Sequence, residues 1–294
     1  MAERPERVLD LFAGAGGWEN ATGDGATGWI GVDNATTVWP IRRILGRTTI
    51  RGDVTRESPD DYVTAGFTGM VASPPCQRFS PANHHNRGRG EVRRGVREAL
   101  RAGDTLLEPL RWTLALRPDW TAWEQVPVVL PVWEYCAGVL RQEGYAVSCA
   151  VLHSHRYGAA TSRARAVLWA RKNPAGGVMP WPREHPGTSM VDALGGLLPD
   201  GAAALCKKPG FAPVNPHPVT GSAPSLAFGK DAAAWHWDTG ERLDPVQAAA
   251  LQGFTHEQAW LMRSVASPRS MWQAVGNAVP AALATAVLEA VRNP

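Results

Sequence analysis

The sequence is poor in cysteine, in lysine and in long apolar runs. Its four cysteines, Cys76, Cys136, Cys149 and Cys206, form no CxxC pair and have no histidine at ligand spacing. A disulfide framework and a structural zinc site are thereby disfavoured, and no metal is expected. Only four of the 30 cationic residues are lysines, which leaves 26 arginines. With so much alanine, glycine and proline, that skew speaks of a GC-rich genome and not of mechanism. No apolar run reaches 18 residues, and Met1-Ala2-Glu3-Arg4-Pro5-Glu6 lacks the basic-then-apolar start of a signal peptide. The expectation is a soluble, cytoplasmic protein with no membrane partner. No internal repeat is visible. Charged residues make up only 19% against 44% hydrophobic, so wholesale disorder is excluded, and 294 residues suffice for a large domain with a small second one.

Short apolar runs alternate with amphipathic stretches in the first half. Strands are expected over 7–12, 29–33, 69–73, 120–124, 145–152 and 165–171, with helices near 35–45, 93–117 and 132–143. Strand and helix repeated in this way argue for an α/β fold, a parallel sheet covered on both faces. From Arg171 to Pro224 the texture changes: these 54 residues hold 10 of the 24 prolines and 8 of the 30 glycines. Long helices cannot survive that density, so a loop-rich small domain is expected, with Trp181, Met190, Leu194, Leu197, Leu198 and Phe211 as its core. Helical periodicity returns near 245–262 and again at 279–291.

In a parallel sheet ligands sit beyond the carboxyl ends of the strands. The first strand runs into Phe12-Ala13-Gly14-Ala15-Gly16-Gly17-Trp18-Glu19, a glycine turn that lets a ligand approach the backbone or that merely shapes the chain. Glu19 stands where a dinucleotide fingerprint would place its third glycine. An acid there is a poor neighbour for a pyrophosphate and a tolerable one for a cationic cofactor such as S-adenosylmethionine. Asp33 could accept ribose hydroxyls, and Asp53 could face an adenine amine. Ser73-Pro74-Pro75-Cys76 presents a thiol from a stiff turn. Such a thiol needs cationic help to act as a nucleophile, and is otherwise an inert small hydrophobe. From Cys76 to Arg101 seven arginines face two glutamates, so all the excess charge of a chain whose net is +3 follows that cysteine. This stretch is either a solvated basic helix or a loop that closes on phosphates. Glu124, beside Trp123, is a candidate proton donor or a surface acid. Arg163 and Arg165 would share one face of a strand, as partners for an anionic or carbonyl-bearing ligand or for a salt bridge.

Taken together these segments resemble the DNA (cytosine-5) methyltransferase family. The resemblance lies in order and spacing: the FxGxGG turn at 12–17, the PCQ at 75–77, Glu124-Gln125-Val126, and the RxR pair at 163–165. Leu251-Gln252-Gly253-Phe254 and Gln273-Ala274-Val275-Gly276-Asn277-Ala278-Val279-Pro280 complete the series. The blocks span the chain except for about 171–238, where the family keeps its variable target-recognition region. The resemblance implies a Rossmann-like S-adenosylmethionine-dependent domain with a mostly parallel sheet, formed by 1–170 and completed by 239–294, with a target-recognition domain over 171–238. It implies double-stranded DNA as partner, with the target cytosine turned out of the helix. Cys76 would add to C6, Glu124 would hold or protonate N3, and Arg165 with Arg163 would contact the O2 side. Phe12, Gly14, Gly16, Gly17, Asp33, Asn34, Asp53, Val54, Pro75, Asn277 and Val279 would surround the cofactor. Arg78, Ser80, Arg87, Arg89, Arg183, Lys207 and Lys208 would meet DNA. A monomer is expected, since no apolar heptad marks a partner helix. Size suggests a compact enzyme of a bacterial cell or phage-infected host, phage-encoded or standing alone beside a restriction system, with a cognate restriction endonuclease as a candidate partner. The alternatives are a related enzyme acting on RNA cytosine and a catalytically impaired DNA-binding relative.

Four departures from the family pattern stand out. Gln125 replaces the usual Asn, Thr161 replaces a Gln, and Asp33 stands where Glu is commoner. The usual RxLTxRE reads Arg242-Leu243-Asp244-Pro245-Val246-Gln247, which loses a Thr and an Arg–Glu pair. Gln125 is expected to alter the rate or the cofactor geometry, Thr161 to loosen support of the base pocket, Asp33 to shorten ribose contacts, and the altered segment to lose groups that help the small domain pack. None removes the nucleophile, the acid or the arginines, so activity is still expected.

Overall fold

The computed structural model describes residues 5–23, 27–75, 105–173, 175–207, 216–226 and 235–293. The apolar runs become strands β1 (Val8–Leu11), β2 (Trp29–Val32), β4 (Gly69–Ala72), β5 (Trp120–Gln125), β6 (Tyr145–His153) and β8 (Ala164–Lys172). With the two-residue β3 (Thr49–Ile50) they form one seven-stranded sheet in the order β3-β2-β1-β4-β5-β8-β6. The pairs from β3 through β5 are parallel, and β8 runs antiparallel between β5 and β6.

Period-two alternation decides what each face buries. Leu9, Leu11, Met70, Ala72 and Trp123 point to one side, where Trp112 and Trp133 of helices Glu108–Leu116 and Leu130–Gln142 meet them. Val8, Val71, Trp120, Ala122, Val167 and Trp169 point to the other, beneath Leu283, Val287 and Val291 of helix Ala281–Arg292. The chain winds outward from β1 to β3 and then returns to place β4 on the far side of β1. That reversal opens a crevice beyond the carboxyl ends of β1 and β4, the place such sheets use for ligands.

The stretch Pro268–Arg292, 25 residues, has a window of mean hydropathy 1.5 and could by composition alone cross a membrane. It is broken at 278–280 into helices Pro268–Asn277 and Ala281–Arg292, and 72% of the window is buried in the protein. It is a core element. Helix Pro268–Asn277 is absent from the expectations above; the region expected as one helix near 245–262 is two, Pro245–Leu251 and His256–Val265, parted at Gln252-Gly253-Phe254.

The proline-rich region folds around a three-stranded antiparallel sheet of β9 (Ala204–Lys207), β10 (His217–Pro218) and β12 (Trp235–Trp237). Met190 and Leu194 are in its core as expected, with Leu197 and Leu198 packed against it. Trp181 is not: it is 65% exposed and sits edge-on against Trp169 of the large sheet, because Met179 and Pro182 fill the inward positions of that segment. Phe211 lies outside the described residues. The apolar cluster around Trp235 and Trp237 continues without a break into Leu243, Val246, Phe254, Met262 and Met271.

Asp244 and Gln247 explain the altered RLDPVQ segment. Asp244 caps helix Pro245–Leu251 by accepting from the amides of Val246 and Gln247, and Gln247 returns a bond from the Asp244 amide. The Gln247 side chain also accepts from Trp237 Nε1 at 3.1 Å and donates to Leu197 O at 2.9 Å. Asp and Gln thus do the joining work that looser packing was expected to leave undone.

Candidate active site

The turn after β1 is built from backbone that bends the left-handed way: Phe12, Gly14 and Gly16 have φ of 57°, 51° and 84°. Asp33, at the end of β2, fixes it. Its Oδ2 accepts from the Gly14 amide at 2.8 Å, and its Oδ1 accepts from the Ala35 amide at 2.7 Å. Both oxygens expected to take ribose hydroxyls therefore already hold protein backbone, and Asp33 serves the turn first. Gly17 is confined from outside the turn: a Cβ there would lie 2.5 Å from Val279 N and 2.8 Å from Val279 O. The turn and the 278–279 backbone are in direct contact.

Glu19 is turned inward. Arg42 grips it with both Nη atoms, at 2.8 and 2.9 Å, and Arg47 Nε lies 3.7 Å away, all nearly sealed from water. The acid expected beside a cationic cofactor is thus neutralised within the protein. Asp10, fully buried below the turn, has no hydrogen-bond partner on either carboxylate oxygen among the described residues. Burial first, and the Glu19 carboxylate second, push its pKa well above the usual carboxylate range. Burial likewise lowers Arg47 to about 10. Sequence reasoning missed Arg42 and Arg47. The available signal was an arginine on the Val38-Ile41-Leu45 face of a short helix, where only a buried partner would tolerate it.

At the crevice rim Asp53 accepts from the Thr55 hydroxyl at 2.7 Å and its amide at 3.0 Å. Those bonds, with help from Asn34 and Arg56, hold its carboxyl below the ordinary range, so it stays ionised. Val54 is buried and Asn277 exposed at the end of its helix.

On the other flank of the crevice β4 runs into Ser73-Pro74-Pro75. Trp18 Nε1 donates to Ser73 Oγ at 3.0 Å, tying this segment to the glycine turn. Gln125 donates from Nε2 to Pro74 O while its Oε1 accepts from the Val126 amide. The extra methylene relative to Asn is what spans from β5 to the carbonyl ahead of Pro75. Cys76, Arg78, Ser80, Arg87, Arg89 and Lys208 lie outside the described residues.

Glu124, 3% exposed, is the penultimate residue of β5, next to Gln125. Arg165 Nε of β8 lies 2.6 Å from its Oε1 as an ion pair, its N–H off the line of a hydrogen bond. Arg163 does not join them. It precedes β8 and not within it, so strand alternation does not govern its direction. Its guanidinium is buried, donating to Leu226 O at 3.0 Å and Gly276 O at 2.6 Å. Thr161, expected to loosen this region, is also buried and donates to Gln252 Oε1 at 3.0 Å. Gln252 Nε2 in turn donates to Val275 O and Ala278 O. Of the residues expected to meet DNA, Arg183 is exposed, and Lys207 lays its ammonium 5.3 Å from the centre of the Trp235 ring.

A family model for C-5 cytosine-specific DNA methylase matches residues 6–185, more than half of the chain. The chain belongs to that family. No curated protein matches this methylase in sequence. Solved structures do match it in fold. One is a prophage-encoded E. coli protein assigned as a DNA modification methyltransferase, at 17% identity and TM-score 0.66, covering 98% of this chain and 99% of that one. Another is the Entamoeba histolytica methyltransferase EhMeth, at 14% identity and TM-score 0.69, covering 98% of each. A third is the S. pombe Dnmt2 methyltransferase, at 16% and 0.64, covering 97% of each. The mostly parallel sheet and its covering helices are those of the Rossmann-like methyltransferase fold.

Proposed function

We propose that this methylase transfers a methyl group from S-adenosylmethionine to C5 of a cytosine turned out of duplex DNA. The observation that carries the reading is the Glu124–Arg165 pair, buried at the end of β5 and bonded through Gln125 to the segment that leads into Cys76. The crevice residues suit the cofactor: Gly14 to Gly17 offer bare backbone, Asp53 is an ionised acceptor, and Asn277 has an exposed amide. Phe12, Asn34, Val54, Pro75 and Val279 complete its surroundings in this reading. When bound, S-adenosylmethionine supplies an electrophilic methyl group.

The protein's own part is to make C5 nucleophilic. Cys76 thiolate forms a bond to C6 as the C5–C6 double bond opens, and the charge flows through the ring to N3. Glu124 holds or protonates N3, while Arg165 keeps Glu124 in place and faces the O2 side. Once C5 carries the methyl group its proton leaves, the Cys76–C6 bond breaks and the double bond is restored. In this reading the basic stretch after Cys76, with Arg78, Ser80, Arg87 and Arg89, binds phosphates, and Arg183, Lys207 and Lys208 approach the duplex. The enzyme works as a cytoplasmic monomer.

A second reading, RNA as substrate, is favoured by one observation: the Dnmt2 structure covers 97% of the chain, nearly the 98% of the prophage protein. Expression in a methylation-free bacterial host followed by bisulfite sequencing separates the two. Protected cytosines at one short DNA motif are expected; full conversion of DNA with protected RNA cytosines would sustain the second reading. A duplex carrying 5-fluorocytosine should form a covalent adduct that Cys76→Ala abolishes.

A further inference from the structure

Arg163 stands two residues before Arg165, and its guanidinium bridges two chain segments far apart in sequence. Leu226, whose carbonyl takes Nη1, follows β11 (Ala223–Pro224), which pairs with β7 (Thr161–Ser162) and belongs to the small region. Gly276, whose carbonyl takes Nη2, lies in the last turn of helix Pro268–Asn277, just ahead of the 278–279 backbone that touches Gly17 of the glycine turn. Gln252 closes the same arrangement from the other side, joining Thr161 to Val275 and Ala278. The 161–163 segment is itself anchored, since Ser154 Oγ accepts from the Arg163 amide at 2.9 Å. Leu226 and the segment against the cofactor turn are thus joined through one planar, two-pronged group.

We propose that Arg163 is a positioning residue that couples the small region to the cofactor turn, so that nucleic acid and cofactor each tighten the other's binding. The inference rests on the functional reading above. A ligand that orders the small region fixes the Leu226 carbonyl, which fixes the guanidinium, which fixes Gly276 and the 278–279 backbone against Gly17. Linkage makes the effect reciprocal. Lysine, a point charge on a flexible stem, keeps the positive charge but not the planar bridge between two carbonyls.

The test measures the dissociation constant of S-adenosylhomocysteine by calorimetry, with and without a synthetic duplex carrying the motif mapped by bisulfite sequencing. For the wild type the duplex should tighten binding by about tenfold, within the usual range of coupling between sites. For Arg163→Lys the ratio should fall below about twofold, whatever the variant's affinity in the absence of duplex. A uniform loss of stability would not move that ratio. Hydrogen exchange on the wild type keeps the proposal testable if the variant does not fold: duplex alone should slow exchange at the Ala278 amide, and S-adenosylhomocysteine alone should slow it at the Ala223 amide. A wild-type ratio of one, a wild-type ratio retained by Arg163→Lys, or protection confined to each ligand's own side would each overturn the coupling while leaving the functional reading intact. Failure of the wild type to bind S-adenosylhomocysteine at all would overturn both.

Discussion

An amide one methylene longer than asparagine reaches further from its strand, and in Gln125 that reach joins β5 to Pro74 O and back to the Val126 amide. Gln125→Leu fills similar volume but strands the buried Pro74 carbonyl, at a cost of about 1–3 kcal/mol, and the half-buried Val126 amide at less. The expected result is a lower thermal midpoint and slower adduct formation with 5-fluorocytosine DNA, while S-adenosylhomocysteine affinity changes little. Equal losses in both would refute the assignment of Gln125 to the nucleophile side of the crevice. Asp10 makes a second prediction. Its raised pKa means the folded state holds the proton more tightly than the unfolded one, so its stabilising contribution is present at low pH and lost as pH rises through the folded value. Asparagine has no proton to lose. The stability of Asp10→Asn relative to wild type should therefore increase as the pH rises above the ordinary carboxylate range, as measured by urea unfolding. A difference independent of pH would show that Asp10 does not titrate in this window. At this scale Glu124 and Arg165 were legible because an acid at a strand end and an arginine in a following strand are local patterns. The bridge made by Arg163 was not, since it depends on carbonyls 63 and 113 residues away.

Helix Pro245–Leu251 shows how an element can keep its role while its sequence changes. Asp244 caps the helix and Gln247 supplies the return bond, although the usual threonine and Arg–Glu pair are missing. Asp244→Ala should destabilise the protein by about 1 kcal/mol, and Asp244→Thr should recover most of it; chemical denaturation of the three proteins would decide. Strands of four or more residues in the large sheet were readable from their apolar runs. The two-residue strands β3, β7, β10 and β11 were not, because so short a segment shows no period. Nor does alternation carry direction, so nothing in residues 164–172 announced that β8 would run against its neighbours. Helix Pro268–Asn277 was overlooked although Ser267 and Pro268 mark its start, a cap and a first-turn proline.

For the whole molecule, the apolar cluster from Met190 through Trp237 to Met271 makes the small region and the adjoining helices share one interior. Heating should therefore give coincident transitions by tryptophan fluorescence and by far-ultraviolet circular dichroism. An earlier, separate fluorescence step would mean that the small region unfolds on its own. Composition signalled where the texture changes, at about 171. It could not show that the interior continues past 238, because burial against a distant helix leaves no mark on local proline and glycine content.

Helix Ala281–Arg292 has a consequence for biosynthesis. It is the cover for the face bearing Val8, Val71, Trp120, Val167 and Trp169, all made long before it. On the ribosome that face lacks this cover until residues 281–292 emerge, so nascent chains should present it to chaperones, and messages truncated before Ala281 should yield aggregates in place of shortened enzymes.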